Sequence, residues 1–229
     1  MSLPENSLDY PHKAEKFTRS GLHDWLELYL HDHGFLRASF SNLYQIDQNM
    51  WRSNQPSPSR IETAYKKQGI KTILNLRGPR DAGGWQLEAE ACHKLGIELV
   101  NFRVRSRAAP EKEMLLKLPE LFTSIQYPAL LHCKSGADRA GLMSALYVLV
   151  AMKRPATEAL EQLSFKYLHI KQAKTGILDA FIASYIPFEK EGMDFMEWVE
   201  NIYDADTLTQ EFHAQPLASR FVDSILKRE

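Results

Sequence analysis

The sequence predicts an α/β fold: a central mixed, mostly parallel sheet flanked by helices, with helical N- and C-terminal extensions. Three observations carry that expectation. Short apolar runs at Ile70–Leu76, Ile97–Val104 and Ala129–Leu131 alternate with segments of helical periodicity, and strands alternating with helices build parallel or mixed sheets. The chain has 229 residues, 44% of them hydrophobic and 25% charged, ordinary values for one good-sized globular domain. Finally, Pro128–Met152 reads PALLHCKSGADRAGLMSALYVLVAM, a buried strand end, a Gly-containing turn and an apolar helix in direct succession.

Taken in order, residues 1–40 are expected to be a helical lead-in. Leu22, Trp25, Leu26, Tyr29 and Leu30 recur at helical spacing and Gly34 ends the run. His23, His31 and His33 lie there without a carboxylate or cysteine at ligand spacing, so they read as a polar face and no metal is expected. Ser41–Ile46 and Asn49–Ser53 read as two short strands with a turn at Asp47–Gln48. A loop through Pro56 and Pro58 enters a helix with Ser59 as N-cap and Glu62 completing a capping box, and Gly69 closes it. Ile70–Leu76 is a buried strand, Arg77–Gly84 a polar loop and Trp85–Leu95 a helix ending at Gly96.

Ile97–Val104 is the next strand. Arg103, Arg105 and Arg107 fall at period two around its end, which is either a basic wall on one side or a charged strand end in solvent. Glu111–Ser124 is a helix marked by Pro110 at its start and kinked or broken by Pro119. Beyond the Ala129–Leu131 strand, Leu142–Met152, Thr157–Leu168, Ile177–Ile186, Phe195–Tyr203 and Leu217–Leu226 carry helical spacing. The expected organisation is a lead-in over 1–40, a core domain over 41–188, and an acidic helical extension over 189–229 packed on the same domain.

Net charge is −1, but it is uneven: residues 189–229 carry ten acidic against four basic side chains, which leaves the rest of the chain basic. That bias suits an anionic substrate and is too weak to argue for nucleic acid. The N-terminus lacks the apolar stretch of a signal peptide, and the longest apolar run, Gly141–Met152, is too short to span a bilayer. With only two cysteines, Cys92 and Cys133, a reducing compartment is the default, and a cytoplasmic protein is expected.

The chemistry concentrates in His132–Gly141. A strand, a Gly-bearing loop and a helix N-terminus, in that order, form an anion site: backbone N–H groups turn inward and the helix end adds partial positive charge. In such a field a cysteine is expected to react as its thiolate. Arg139, six residues after Cys133, offers a planar fork for two phosphoryl oxygens. Nucleophile and cradle in one loop predict phosphoryl transfer through a phosphocysteine. Cys92 reads as a buried helix residue, with a regulatory disulfide to Cys133 as the alternative.

HCKSGADRAG resembles the H-C-x5-R signature of the cysteine-dependent protein tyrosine and dual-specificity phosphatase superfamily. LYQIDQNMWRSNQPSPSRIE and IKTILNLRGPRD resemble the start of its bacterial dual-specificity-like branch, and of related yeast and plant phosphatases acting on phosphoproteins or inositol pyrophosphates. The likeness covers residues 41–185. It implies the cysteine phosphatase fold with no metal and no cofactor. Cys133 would be the nucleophile and Arg139 the grip on the equatorial oxygens. Backbone N–H groups of Lys134, Ser135, Gly136 and Ala137 would bind the phosphoryl group, and His132 would orient the loop from behind. Lys134 either draws acidic substrates or is merely solvated.

The sequence departs from that pattern twice. Ala140 stands where the family usually has Ser or Thr, whose hydroxyl stabilises the departing thiolate. Losing a hydrogen bond to a charged group costs about 1.5–3 kcal/mol, a rate factor on the order of 10–100, with Ser135 as a candidate to compensate. The family's general acid, an Asp on a separate loop, has no counterpart in Ser106–Glu113. Asp138 inside the signature, where some relatives place their acid, is the first candidate, and Glu111 and Asp81 are the alternatives. The expected function is a protein tyrosine or dual-specificity phosphatase. Arg103, Arg105, Arg107, Lys134 and Asp138 motivate an alternative, an inositol phosphate or phosphoinositide phosphatase. Ala140 and the missing loop Asp motivate a third, a catalytically silent phosphate-binding module. The partner is a phosphorylated protein or small molecule.

Overall fold

The computed structural model describes residues 41–79 and 83–214, together with a two-residue strand at His12–Lys13. The lead-in helix with His23, His31 and His33, the acid candidate Asp81 and the Leu217–Leu226 helix lie outside the described residues. The strands are β1 His12–Lys13, β2 Tyr44–Gln45, β3 Met50–Asn54, β4 Thr72–Asn75, β5 Glu98–Asn101 and β6 Ala129–Cys133. They form one sheet in the order β1-β5-β4-β6-β3-β2. The inner pairs β5–β4, β4–β6 and β6–β3 are parallel and the edge strands are antiparallel, so the sheet is mixed and mostly parallel as expected. Every residue of β4 and β6 is buried, the mark of parallel strands in an α/β fold.

Two compact units divide the chain. The first comprises residues 1–104 and 125–140 and contains the sheet. Its helices are α1 Pro58–Gln68 and α2 Gly83–Leu95. Ile61 and Ala64 from α1 and Ala89, Ala91 and Cys92 from α2 join Ile70, Ile73, Ile97, Leu99 and Leu130 in one apolar cluster. Each large aliphatic side chain buried there contributes about 1.5–3 kcal/mol.

The capping box predicted for α1 is not formed. Pro58, with φ preset for a helix, occupies the first turn and makes Ser57 the N-cap, which moves Ser59 inside the helix. Glu62 turns instead to Lys66, 2.6 Å away and one turn on. Gly69 closes α1 at φ +67°, where a side chain would be strained. Strand β5 is shorter than predicted. The Asn75 amide donates to Asn101 Oδ1 at 2.9 Å where both strands end. Arg103, Arg105 and Arg107 therefore lie past the strand, exposed, and the period-two argument for a row does not apply to them.

The second unit comprises residues 105–124 and 141–229. Its helices are α3 Lys112–Leu116, α4 Leu118–Ser124, most of α5 Asp138–Val150, α6 Ala156–Glu161, α7 Ile177–Lys190, α8 Phe195–Asn201 and α9 Ala205–Ala214. The predicted break in Glu111–Ser124 falls at Lys117, because Pro119 is tolerated in the first turn of a new helix. The predicted Thr157–Leu168 helix stops at Glu161, and a 3-10 turn follows at Phe165–Tyr167, ended by Leu168 at φ +65°. Helix α9 was not predicted. Its N-terminus is capped by Asp204, whose Oδ1 accepts from Thr207 N at 2.7 Å. Phe181 and Trp198 both lie 5.0 Å from the Tyr203 ring, and the Tyr203 hydroxyl donates to Pro110 O at 2.6 Å, tying residues 105–124 to the C-terminal helices. No helix among the described residues is long and apolar enough to cross a membrane.

Candidate active site

Cys133 is the last residue of β6 and is 2% exposed. Parallel neighbours flank it on both sides: Asn54 of β3 is in register with Cys133, and Asn75 of β4 with His132. The strand runs two residues further than predicted and α5 begins at Asp138 rather than Leu142, so the loop shrinks to Lys134–Ala137. Such short loops at the carboxyl ends of central strands are where α/β folds place ligands.

The scaffold takes every carbonyl of this loop. Lys134 O accepts from Gln55 N at 3.5 Å and Ser135 O from Asn42 Nδ2 at 3.0 Å. Gly136 O and Ala137 O accept from one nitrogen of the Arg52 guanidinium at 2.9 and 3.2 Å. In a trans peptide the C=O and the following N–H point in opposite directions. Carbonyls held by the scaffold therefore turn the N–H groups of Ser135 to Asp138 toward the other side. The Gly136 N–H donates to Cys133 Sγ at 3.2 Å, which places the sulfur on that concave side. Gly136 has φ +76°, and a Cβ there would lie 2.8 Å from Asn42 Nδ2, Asn54 N and Ser53 C. Only glycine fits.

Behind the loop lies a buried polar chain. His132 Nε2 pairs with Glu88 Oε1 at 2.5 Å, both side chains fully buried. Glu88 Oε2 accepts from Gln55 Nε2 at 3.2 Å, and the Arg77 guanidinium donates to Gln55 Oε1. Arg77 N bonds Asn75 Oδ1 at 2.9 Å. An unpartnered ion at this depth would cost several kcal/mol, on the order given for desolvated charges, and hydrogen bonds to neighbours offset that cost. Cys92 sits against the same region, 1% exposed. Burial, and after it the charge of Glu88, pushes its thiol well above the ordinary value, which suits an inert core residue.

Cys133, Lys134, Ser135, Gly136, Ala137, Asp138 and Arg139 thus come together within the first unit, on one loop and the first turn of a helix. Asp138 and Arg139 are half-buried at the first two positions of α5, where a carboxylate is favoured by the helix dipole. Ala140 is fully buried. Glu111 belongs to the second unit, where Oε1 lies 3.1 Å from Arg105 Nη1 and its carbonyl accepts from Met114 and Leu115 at the start of α3. Sequence reasoning did not single out Asn42, Arg52, Gln55 or Glu88. Two of them left a signal. Arg52 is a charge inside a five-residue strand, and Glu88 falls at i+3 from Trp85 and i−4 from Cys92, on the apolar face of α2.

Comparison with known proteins agrees with this geometry. The family described as "DSP-PTPase phosphatase fused to NAD+ Kinase" matches residues 37–177. The dual specificity protein phosphatase TpbA of Pseudomonas aeruginosa is 26% identical over 123 residues, 53% of either chain. The chain thus spans about half the length of the curated relatives it matches. Among solved structures, P. aeruginosa TpbA superposes with a TM-score of 0.51 at 18% identity, covering 76% of this chain and 91% of that one. The core catalytic domain of the PP-IP phosphatase SIW14 from S. cerevisiae, in complex with citrate, gives 0.50 at 16% identity, covering 66% and 91%. These likenesses establish a common fold.

Proposed function

We propose, for a chain that belongs to the DSP-PTPase family described as phosphatase fused to NAD+ kinase, that it is a phosphomonoester hydrolase working through a phosphocysteine. The observation that carries this is the loop whose carbonyls are all held by the scaffold while Gly136 N–H meets Cys133 Sγ. In this reading the Cys133 thiolate attacks phosphorus and the P–O bond to the leaving group breaks. The inward N–H groups and Arg139 take up charge on the equatorial oxygens. Asp138 donates the proton to the leaving oxygen. Water then cleaves the S–P bond, giving inorganic phosphate and regenerating the thiolate.

Phosphorylated protein is the substrate class we favour, supported by the relationship to a dual specificity protein phosphatase. Residue Ala140 makes the second step the slow one. Wild-type enzyme on a small aryl phosphate should therefore show a burst of phenol release, followed by slower turnover. Replacing Cys133 by Ser should abolish both phases, and full activity in Cys133→Ser would refute the reading. Asp138→Asn should slow a poor leaving group more than a good one, and equal slowing would move the acid elsewhere. A panel of phosphopeptides and inositol phosphates separates the two substrate classes, with preference for the peptides expected.

A further inference from the structure

We propose that Arg52 is a positioning residue of the anion site, a buried cation that both sets the loop's backbone and charges it from behind. The proposal rests on reading Lys134–Arg139 as a phosphate loop. Arg52 is 0% exposed, the largest fully buried side chain described, and lies on β3 next to the cysteine strand. Its guanidinium reaches past the sheet to Gly136 O and Ala137 O. Gly136 is also the residue whose N–H meets Cys133 Sγ, so the cation is separated from the sulfur by a single loop residue.

Bracing two carbonyls does not by itself call for a charge. Neutral donors brace the other carbonyls of the same loop: the Asn42 amide holds Ser135 O, and the Gln55 backbone N–H holds Lys134 O. A buried guanidinium is far costlier to desolvate than either. It is explained if its charge acts on what the loop holds. A fixed positive charge beneath inward N–H groups strengthens an anion site in a way no amide can, because the interior screens it weakly. The charged groups on the loop and on the elements packed against it include Arg52 from β3, Glu88 from α2 through His132, Arg77 behind Gln55, and Lys134, Asp138 and Arg139 from the loop and α5. Arg52 reaches the loop backbone itself, through Gly136 O and Ala137 O.

The test compares Arg52→Met, which removes charge and fork, with Arg52→Lys, which keeps the charge. Alkylation of Cys133 by iodoacetamide, followed from about pH 4 to pH 8 and compared at the acid end, reads the field at the sulfur without needing turnover, since thiolates react and thiols do not. Alkylation should be about tenfold slower in Arg52→Met and within about twofold of wild type in Arg52→Lys. Protection of Cys133 by inorganic phosphate should weaken about 30-fold in the Met variant and about threefold to tenfold in the Lys variant. Thermal unfolding should place the two variants close together, because both lose the guanidinium nitrogen that bonds Gly136 O and Ala137 O. A purely structural role would make the losses follow stability, so that both variants lose equally. That result, or wild-type alkylation in Arg52→Met, overturns the proposal. Should Arg52→Met not fold, the Lys variant decides: phosphate protection equal to wild type overturns it, and the threefold to tenfold loss at wild-type alkylation rate upholds it. Aryl phosphate turnover by the wild-type protein is scored separately. An inactive protein with these alkylation differences would sink the phosphatase reading and leave the role of Arg52 standing.

Discussion

The two units bury polar side chains in contrasting ways. At the carboxyl end of the sheet, Arg52, Asn75, Arg77, Glu88, Asn101 and His132 lie out of solvent in one layer. The second unit is instead built on rings, with Phe181, Tyr185, Phe195, Trp198 and Tyr203 packed around one another and the Tyr185 and Tyr203 hydroxyls donating to the carbonyls of Met193 and Pro110. Among the described residues, each unit still keeps a buried imidazole–carboxylate pair. His132 and Glu88 are 44 positions apart and join β6 to α2. His169 and Asp179 are 10 positions apart, at 2.7 Å, and fasten a local turn to α7. Local fastening explains the second pair. The first belongs to a layer that apolar side chains would stabilise more cheaply, and what that layer provides is the shape of a loop.

The largest effects should separate the units cleanly. Cys133→Ser should lower aryl phosphate turnover about a thousandfold or more while leaving the melting temperature within about 2 °C. Trp198→Ala should do the reverse, costing about 3–5 kcal/mol in denaturant unfolding. A Trp198→Ala protein as stable as wild type would break the comparison.

The next test sets the two histidine pairs against each other. Glu88→Gln and Asp179→Asn should each cost about 1–3 kcal/mol of stability. Turnover should fall about 10–100-fold in Glu88→Gln and less than about threefold in Asp179→Asn. Equal losses of turnover would mean that both pairs are only structural.

The smallest effect lies at the helix caps of the second unit. Burial raises the Asp194 carboxyl, but the Met196 N–H, Lys153 and the Glu197 N–H together bring it below its ordinary 3.8. The Thr207 N–H does the same for Asp204. A carboxyl lowered by folding contributes stability that is complete above its unfolded value and lost as pH falls through the folded one. Asp194→Ala should therefore cost about 1 kcal/mol at neutral pH, and the gap to wild type should close on acidification below about pH 4. A gap that persists in acid would assign the effect to packing instead.

Much of the first unit was legible because its signals are local. Gly69 and Gly96 end their helices where predicted, at φ +67° and +68°. Asp47 Oδ1 accepts from Asn49 N and Met50 N, forming the predicted turn. Ends decided by competition were misread. Pro58 took over the start of α1 from Ser59, and the Asn75–Asn101 pair coincides with the end of a strand that hydropathy extended to Val104. In the second unit, α9 escaped notice because its buried face is just Leu208 and Phe212.

By itself the sequence determined that a thiol and a guanidinium share one strand–loop–helix segment, since all three parts are contiguous and locally encoded. It also determined that the loop between them bears a glycine, Gly136. Only the tertiary structure decided what stands behind that segment. Asn42, Arg52, Gln55 and Glu88 arrive from other parts of the chain, and pattern marks Arg52 and Glu88 as out of place without saying what they hold. The reason is physical: a buried polar group is stable only through partners distant in sequence, so its place can be recognised once those partners meet.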